Sequence, residues 1–390
     1  LFMDINKSIS IIGGAGHVGL PLGLAFASKN FNVNLIDLNT ENLNLIKTGK
    51  MPFYEMGAKK ILKSCLIKKK LSFSKNIKTI ESSKFIIICI GTPINQSLKP
   101  QTKKFFNFFK KLKKFVNKKQ IIIIRSSVYP GIVDKIFKQY KKINQNISYC
   151  PERIVQSKAL IELKKLPQIV SAKNTKSLVE SKKLFSIISK KILIAEVREA
   201  EMCKLFSNAN RYINFSIANQ FYSICKKHNM NYSKVREIMM HGYERNFNLL
   251  KAGFTAGPCL LKDTMQLNSF FKNNFKIGHS AMQVNEGMID IVIDEIKKIK
   301  NYKQKKYGIL GITFKAETDD TRDSLSLKLF NKLKKMKLRV NFSDEYFKDK
   351  LSFNKYELVK KSNVLIIGAP HKAYTRLKIP KTKILIDIWD

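Results

Sequence analysis

The chain is short of acid: 29 Asp and Glu stand against 73 Lys and Arg in 390 residues, a formal net charge of +44. Such an excess ordinarily points to nucleic acid or an anionic membrane. Here the lysines form short runs along the whole sequence (Lys68 to Lys70, Lys110-Lys111, Lys297-Lys298) amid abundant Asn, Ile and Phe. That pattern reads as compositional bias, and the runs lack the interleaved aromatic and Arg residues of a base-reading surface. Cysteine is also sparse. The six residues at 65, 89, 150, 203, 225 and 259 show no paired spacing, which argues against a disulfide framework or a zinc site and leaves reduced thiols as the expectation. No apolar run approaches the roughly 18 residues of a membrane span. Asp4 to Lys7 leads directly into a strand rather than a signal-peptide core, so a cytoplasmic protein is expected.

At 44% hydrophobic residues the chain has material for two or three domains with their own cores. Ile9 to Ile12 is a short β-branched run that ends in a glycine turn and then a helix-like segment, Leu20 to Ala27. Gly14, Gly16 and Gly19 satisfy G-x-G-x-x-G, with His17 and Val18 between the last two. A second strand, Val33 to Ile36, ends at Asp37. An acid about 20 residues after the glycines suits the ribose hydroxyls of NAD and disfavours the 2′-phosphate of NADP. Continuous apolar runs follow at Phe85 to Ile90 and Ile121 to Ile124, ending in Gly91-Thr92-Pro93 and Arg125-Ser126-Ser127. They read as buried parallel strands, whose carboxyl ends collect ligands, so Thr92 and Ser127 are candidate contacts. Met51 to Glu55 reads as a loop near the cofactor. Glu152, in Cys150-Pro-Glu-Arg153, either points to the same crevice or is a surface acid.

From Glu196 to Lys226 the apolar residues recur at helical spacing. Lys204 and Asn208 lie four apart on one face, either as a pair addressing one oxygen or as a solvated face. The next stretch runs Gly253-Phe-Thr-Ala-Gly257-Pro-Cys259-Leu-Leu-Lys262-Asp263. Pro258 readily opens a helix, which puts Cys259 where first-turn N–H groups and Lys262 favour a thiolate. Asp263 returns one turn later to the same face as a base for water. A buried cysteine beside a surface Lys-Asp pair is the alternative use of these residues. Ala281 to Ile299 is a further helix. After Lys306, apolar runs at Tyr307 to Gly311, Leu338 to Phe342, Val364 to Ile367 and Ile384 to Asp387 describe a second, smaller doubly wound unit.

Taken in order, these segments resemble the UDP-sugar 6-dehydrogenase family, which includes UDP-glucose and UDP-N-acetylhexosamine dehydrogenases. The likeness spans nearly the whole chain and rests on the motifs above, with Ala200-Glu-Met-Cys-Lys204, Phe314-Lys315, Thr318-Asp-Asp-Thr-Arg322 and Ala369-Pro-His-Lys372. It implies an α/β fold in which two doubly wound Rossmann-like domains are joined by a central all-α domain. The expected division is 1–195 for NAD, 196–300 for the helices that carry the active site and form a homodimer, and 301–390 for UDP. The implied reaction is oxidation of a sugar C6 alcohol to a carboxylate with two NAD, Cys259 holding a thiohemiacetal and then a thioester. Lys204 and Asn208 are implied to stabilise the oxyanion, Asp263 to activate water, and Ser127 and Glu152 to position it. Gly257, Lys262, Phe314 and Lys315 are implied to serve the UDP-sugar together with Lys204 and Asn208. Arg322 is implied at the substrate and also among the cofactor contacts, with Gly14, Gly16, His17, Val18, Gly19, Asp37, Thr92 and Ser127.

Three departures accompany the likeness. The family's paired glycine before the cysteine is Ala256-Gly257, its Ser-Thr is Ser126-Ser127, and the chain stops early, at Trp389-Asp390. Cys150 to Arg153 looks like the acetamido-sugar branch and Lys262-Asp263 like the glucose branch, and the sequence leans to UDP-glucose. Two rivals differ in class. A one-step β-hydroxyacid dehydrogenase needs neither the thiol nor the second nucleotide-like domain, and a basic Rossmann-type nucleic-acid binder would show salt-dependent DNA retention without NADH production.

Overall fold

Runs of isoleucine with no polar interruption make strands that are covered on both faces. In the computed structural model, which describes residues 7–389 apart from 93, 96 and 256, these runs form the core of the first of two compact units, 1–206 and 207–390. Its strands are β1 (Ser8–Ile12), β2 (Asn32–Ile36), β3 (Leu71–Ser74), β4 (Phe85–Ile88), β5 (Ile121–Ile124), β6 (Ile147–Tyr149), β7 (Gln168–Ala172) and β8 (Ile192–Ile194). They form one eight-stranded sheet in the order β3-β2-β1-β4-β5-β6-β7-β8, parallel among the described residues except where β7 turns back on β6. Ile9, Ile87, Ile121 and Ile123 feed the core on one face. Ile12, Ile86, Ile88, Ile122 and Ile124 feed the core on the other. The covering helices are α1 (Gly19–Ala27), α2 (Thr40–Lys47), α3 (Ala58–Ile67), α4 (Thr102–Leu112), α5 (Ile132–Tyr140), α6 (Ala159–Lys165) and α7 (Thr175–Ser186).

Helix α8 (Val197–Lys227) continues from the first unit into the second. The second unit adds α9 (Tyr232–Met240), α10 (Leu260–Phe270) and α11 (Lys276–Lys298), followed by β9 (Lys306–Leu310), α12 (Leu325–Lys335), β10 (Arg339–Ser343), α13 (Lys355–Lys361), β11 (Val364–Ile367) and β12 (Ile384–Ile386). Its four strands are parallel in the order β10-β9-β11-β12. Ala218 and Tyr222 of α8 and Met288, Val292 and Ile296 of α11 share one core with Tyr307, Ile309, Val364 and Ile366 of this sheet. The central helices and the second sheet therefore bury their apolar faces together in one unit. Among the described residues no helix is long and apolar enough to cross a membrane.

Candidate active site

In the first unit, β1 delivers the chain into a turn with little room. A Cβ on Gly19 would stand 2.1 Å from the Gly13 carbonyl oxygen, and one on Gly14 would stand 2.8 Å from that of Ile11. Glycine at both positions lets α1 start against the strand end. A Cβ on Gly16 would meet only the Gly13 oxygen, at 3.5 Å, so the space before this turn stays open for a phosphate. Asp37 follows β2 as expected, accepting the Ala15 N–H and the Asn39 N–H, each at 3.0 Å, and is half-buried. The His17 ring lies 4.0 Å from that of Phe53, and Glu55 accepts the Leu160 N–H at 3.1 Å. The loop carrying Met51 to Glu55 is thus packed against the glycine turn. These residues fit a dinucleotide: an open turn for the pyrophosphate and an acid at the end of β2 for the ribose.

The ends of β4 and β5 are tied together. The Thr92 hydroxyl donates to the Ser127 carbonyl, and the Ser126 hydroxyl donates to the Ile90 carbonyl at 2.7 Å. Pro93, in the same motif, lies outside the described residues. Glu152 is buried, and both its oxygens are engaged. One accepts from Nε and Nη2 of Arg125, and the other accepts the N–H groups of Arg153 (2.7 Å) and Ile154 (3.0 Å). Arg125 is fully buried, donates also to the Cys150 carbonyl and to Gln168, and lies 4.7 Å over the Phe185 ring. The sequence expectation had Glu152 facing the crevice to position water and gave Arg125 no role. No short-range signal links the two, because they meet only when β5 and β6 pair. Glu201 was likewise only part of a motif. It is buried one turn before Lys204 and accepts the Gly131 and Val133 N–H groups at the start of α5, at 2.7 and 3.1 Å. Burial pushes its carboxyl up, against those two N–H groups. Lys204 is buried on the same helix.

In the second unit the stretch from Gly253 to Asp263 forms a loop and the first turn of α10. Gly253 donates its N–H to Asn219 at 2.9 Å and packs beneath the Trp389 ring. Gly257 has φ +106°, and the Phe314 ring fills the place of its missing Cβ. Ala256 lies outside the described residues. Cys259 caps α10, exposed to solvent, where unsatisfied first-turn N–H groups favour an anion. Burial pushes the thiols of Cys89 and Cys150 up to about 12, which removes both as nucleophiles at neutral pH.

One turn after Cys259, Asp263 donates its N–H to the Cys259 carbonyl at 2.9 Å and is fully buried. One carboxylate oxygen accepts from the Asn208 amide at 2.5 Å, and the other lies 2.8 Å from the Lys262 ammonium. Burial pulls that ammonium down, but the Asp263 carboxylate and the nearby Cys259 outweigh burial and hold it above the usual lysine range. The Asn208 amide keeps a second N–H beyond the one spent on Asp263. The loop after β9 brings the remaining candidates: Phe314, whose N–H donates to the Asp320 carbonyl at 3.0 Å, and Lys315, whose ammonium lies 5.7 Å over the Phe314 ring. Arg322 chelates Asp320 and is held above the usual arginine value by that bond first, with Cys259 among the charges it feels. The structure therefore gathers Asn208, Gly257, Cys259, Lys262, Asp263, Phe314 and Arg322 in one unit, and the glycine turn with Asp37, Thr92, Ser127 and Glu152 in the other. Among the described residues no group of three metal-ligating side chains forms.

Residues 7–189, 198–287 and 308–390 match, in order, the NAD-binding, central and UDP-binding domains of the UDP-glucose/GDP-mannose dehydrogenase family. The chain belongs to that family. It is 28% identical over 378 residues to the UDP-N-acetyl-D-mannosamine dehydrogenase of Methanocaldococcus jannaschii, covering 95% of this chain and 87% of that protein. It is 24% identical over 333 residues to the UDP-glucose 6-dehydrogenase of Rickettsia bellii, covering 82% and 77%. The structure of the UDP-D-ManNAc dehydrogenase from Pyrococcus horikoshii superposes with a TM-score of 0.89 at 24% identity, over 98% of this chain and 95% of that one. The chain is thus an NAD-dependent nucleotide-sugar dehydrogenase by family, and its first segment is the NAD-binding domain.

Proposed function

We propose that the protein oxidises C6 of a UDP-N-acetylhexosamine, with UDP-N-acetyl-D-mannosamine the first choice, from alcohol to carboxylate. The observation that carries the reading is an exposed thiol at the start of α10, one turn ahead of a buried carboxylate oriented by Asn208 and Lys262. NAD, when bound against the glycine turn and Asp37, supplies the hydride acceptor for both oxidations. Cys259 holds the carbon between them. Its thiolate adds to the aldehyde carbonyl carbon, forming a C–S bond, and the oxygen takes up a proton. After the second oxidation water adds to the thioester, the C–S bond breaks, and uronate leaves with the thiol restored. Asp263 receives the proton of that water. The Asn208 N–H left over from Asp263, and the Lys204 ammonium, stabilise the tetrahedral oxyanion. Glu152, whose two oxygens already accept four N–H groups where Asp263 accepts one and pairs with an ammonium, is assigned to holding the turn after β6 through Arg125.

The sugar assignment reverses the lean to UDP-glucose drawn from Lys262-Asp263. It follows Cys150 to Arg153 and the names of relatives matched over 95% of the chain. UDP-glucose is the second reading, favoured by Lys262-Asp263 and by the Rickettsia relative. We extend the proposal to a homodimer through α8, where Ile217, Phe221 and Ile224 are exposed; sedimentation tests it. The deciding assay counts NADH per sugar for UDP-ManNAc, UDP-GlcNAc and UDP-glucose. Two NADH per UDP-ManNAc, with kcat/KM above that for UDP-glucose, is expected. In Cys259→Ser the hydrolysis that follows the second oxidation should stall, with an ester adduct visible by intact mass. Full turnover without an adduct would overturn the role of the thiol.

A further inference from the structure

His371 belongs to a sequence motif that the proposed chemistry leaves unused, yet it sits at the centre of a buried polar cluster. Both His371 and Asp344 are fully buried. Asp344 follows β10 as Asp37 follows β2, but it is turned inward. One oxygen accepts the Ile312 and Thr313 N–H groups at 2.7 and 3.2 Å and faces His371 Nε2 at 3.2 Å. The other accepts the Tyr346 and Phe347 N–H groups at 2.9 and 3.0 Å. In a doubly wound sheet the acid at this position ordinarily meets a ribose. Here its bonding capacity is filled by the loops that follow β9 and β10 and by His371.

The other ring nitrogen settles the protonation of His371. Nδ1 accepts the Glu317 N–H at 3.0 Å, so it carries no proton, and the ring is the neutral Nε2–H form that donates to Asp344. The 3.8 Å approach of Nδ1 to the Glu317 carboxylate is then not an ion pair. Glu317 itself has φ +56°, a conformation that persists only when its surroundings over-determine it. They do: besides the bond to His371, its carboxylate accepts from the Tyr346 hydroxyl at 2.6 Å and the Lys372 N–H at 2.9 Å. Tyr346 and Tyr374 flank the imidazole at 5.2 and 5.3 Å. The ring thus bridges Asp344, after β10, and the loop of residues 312–322, which carries Phe314, Lys315 and Arg322.

We propose that His371 is a positioning residue for the nucleotide-sugar: bridging Asp344 and the Glu317 N–H, it locks the 312–322 loop so that Phe314 seats on Gly257 beside Cys259 and Arg322 stands near the thiol. The proposal rests on the reading of this unit as the UDP-sugar site. His371→Gln keeps a donor toward Asp344 and loses the acceptor for Glu317, while His371→Asn keeps the acceptor and loses the donor. Each should raise the KM for UDP-sugar and the Kd for UDP, measured by calorimetry, about tenfold, the size expected when one buried bond loses its partner. The KM for NAD should stay within twofold and kcat within threefold. His371→Phe, which loses both bonds, should be weaker than either, and thermal scans report whether it folds. If the wild type binds UDP and the variants weaken that binding while no UDP-sugar is oxidised, the functional reading fails and the positioning role stands. If the wild type turns over UDP-sugar and Gln and Asn leave both constants within twofold, the positioning role fails alone. Equal losses for NAD and UDP-sugar would mark His371 as a general structural residue and overturn the proposal, and a wild type that binds no UDP overturns both.

Discussion

Gly257→Ala tests how the thiol is held. The residue has φ +106°, and a Cβ there would fall 2.5 and 2.7 Å from Cδ2 and Cε2 of Phe314. Two costs follow. A non-glycine residue in this backbone region costs about 1–3 kcal/mol, and overpacking a filled site costs about another 1–3 kcal/mol. Either the ring or the turn must move. Phe314 is braced by the Asp320 carbonyl and by the loop that Asp344 and His371 hold, so the turn should yield, and Cys259 is two residues away. Stability should fall by roughly 2–6 kcal/mol, the combined range of the two effects. The kcat/KM should fall on the order of 10²-fold, since each tenfold corresponds to about 1.4 kcal/mol. Urea unfolding of Gly257→Ala, Phe314→Ala and the double variant separates the two costs. Removing the ring relieves the clash and leaves the backbone strain, so a coupling of about 1–3 kcal/mol is expected. A coupling near zero, or a Gly257→Ala enzyme that keeps kcat/KM and the rate of Cys259 alkylation by iodoacetamide within threefold, would refute the reasoning.

Arg125→Ala leaves the Glu152 carboxylate buried without its cation and should cost about 3–5 kcal/mol; adding Glu152→Gln should recover part of it, and a loss below about 1 kcal/mol in urea would contradict the buried pair. Lys204→Ala should lower kcat by roughly 10²- to 10³-fold with little change in UDP-sugar affinity, and an unchanged kcat would return Lys204 to a structural role. Burial raises the Asp344 carboxyl, but the His371 bond and the Tyr346 and Ile312 N–H groups hold it below the usual range. A depressed carboxyl stabilises the fold above its unfolded value, near 4, and that contribution is lost as pH falls through the folded value. Melting temperature should therefore drop more steeply below pH 4 in the wild type than in Asp344→Asn, and parallel acid limbs would show that Asp344 contributes nothing there.

The parts of this protein that depend on neighbours in sequence were readable from sequence. Unbroken isoleucine at 121–124 admits only a strand covered on both faces. Glycines at 14, 16 and 19 between a β-branched run and an apolar helix, with an acid after the next strand, define a dinucleotide turn. Pro258 before Cys259 marks a helix start, and α10 begins one residue after the thiol. Each of these is a local rule of period, torsion or capping.

What only the tertiary structure decided is which polar groups meet. Glu152 looked like a crevice carboxylate, and its partner Arg125 arrives from the adjacent strand. Asp263 and Asn208, in different helices, meet only when α8 and α10 are placed. Asp37 and Asp344 occupy the same position after a second strand, yet one is half-buried and the other is filled by four N–H groups and an imidazole. Buried polar atoms must find partners, and burial is a property of the packed chain. The identity of a carboxylate is written in the sequence, whereas its freedom to meet a ligand depends on whether packing has already spent its lone pairs.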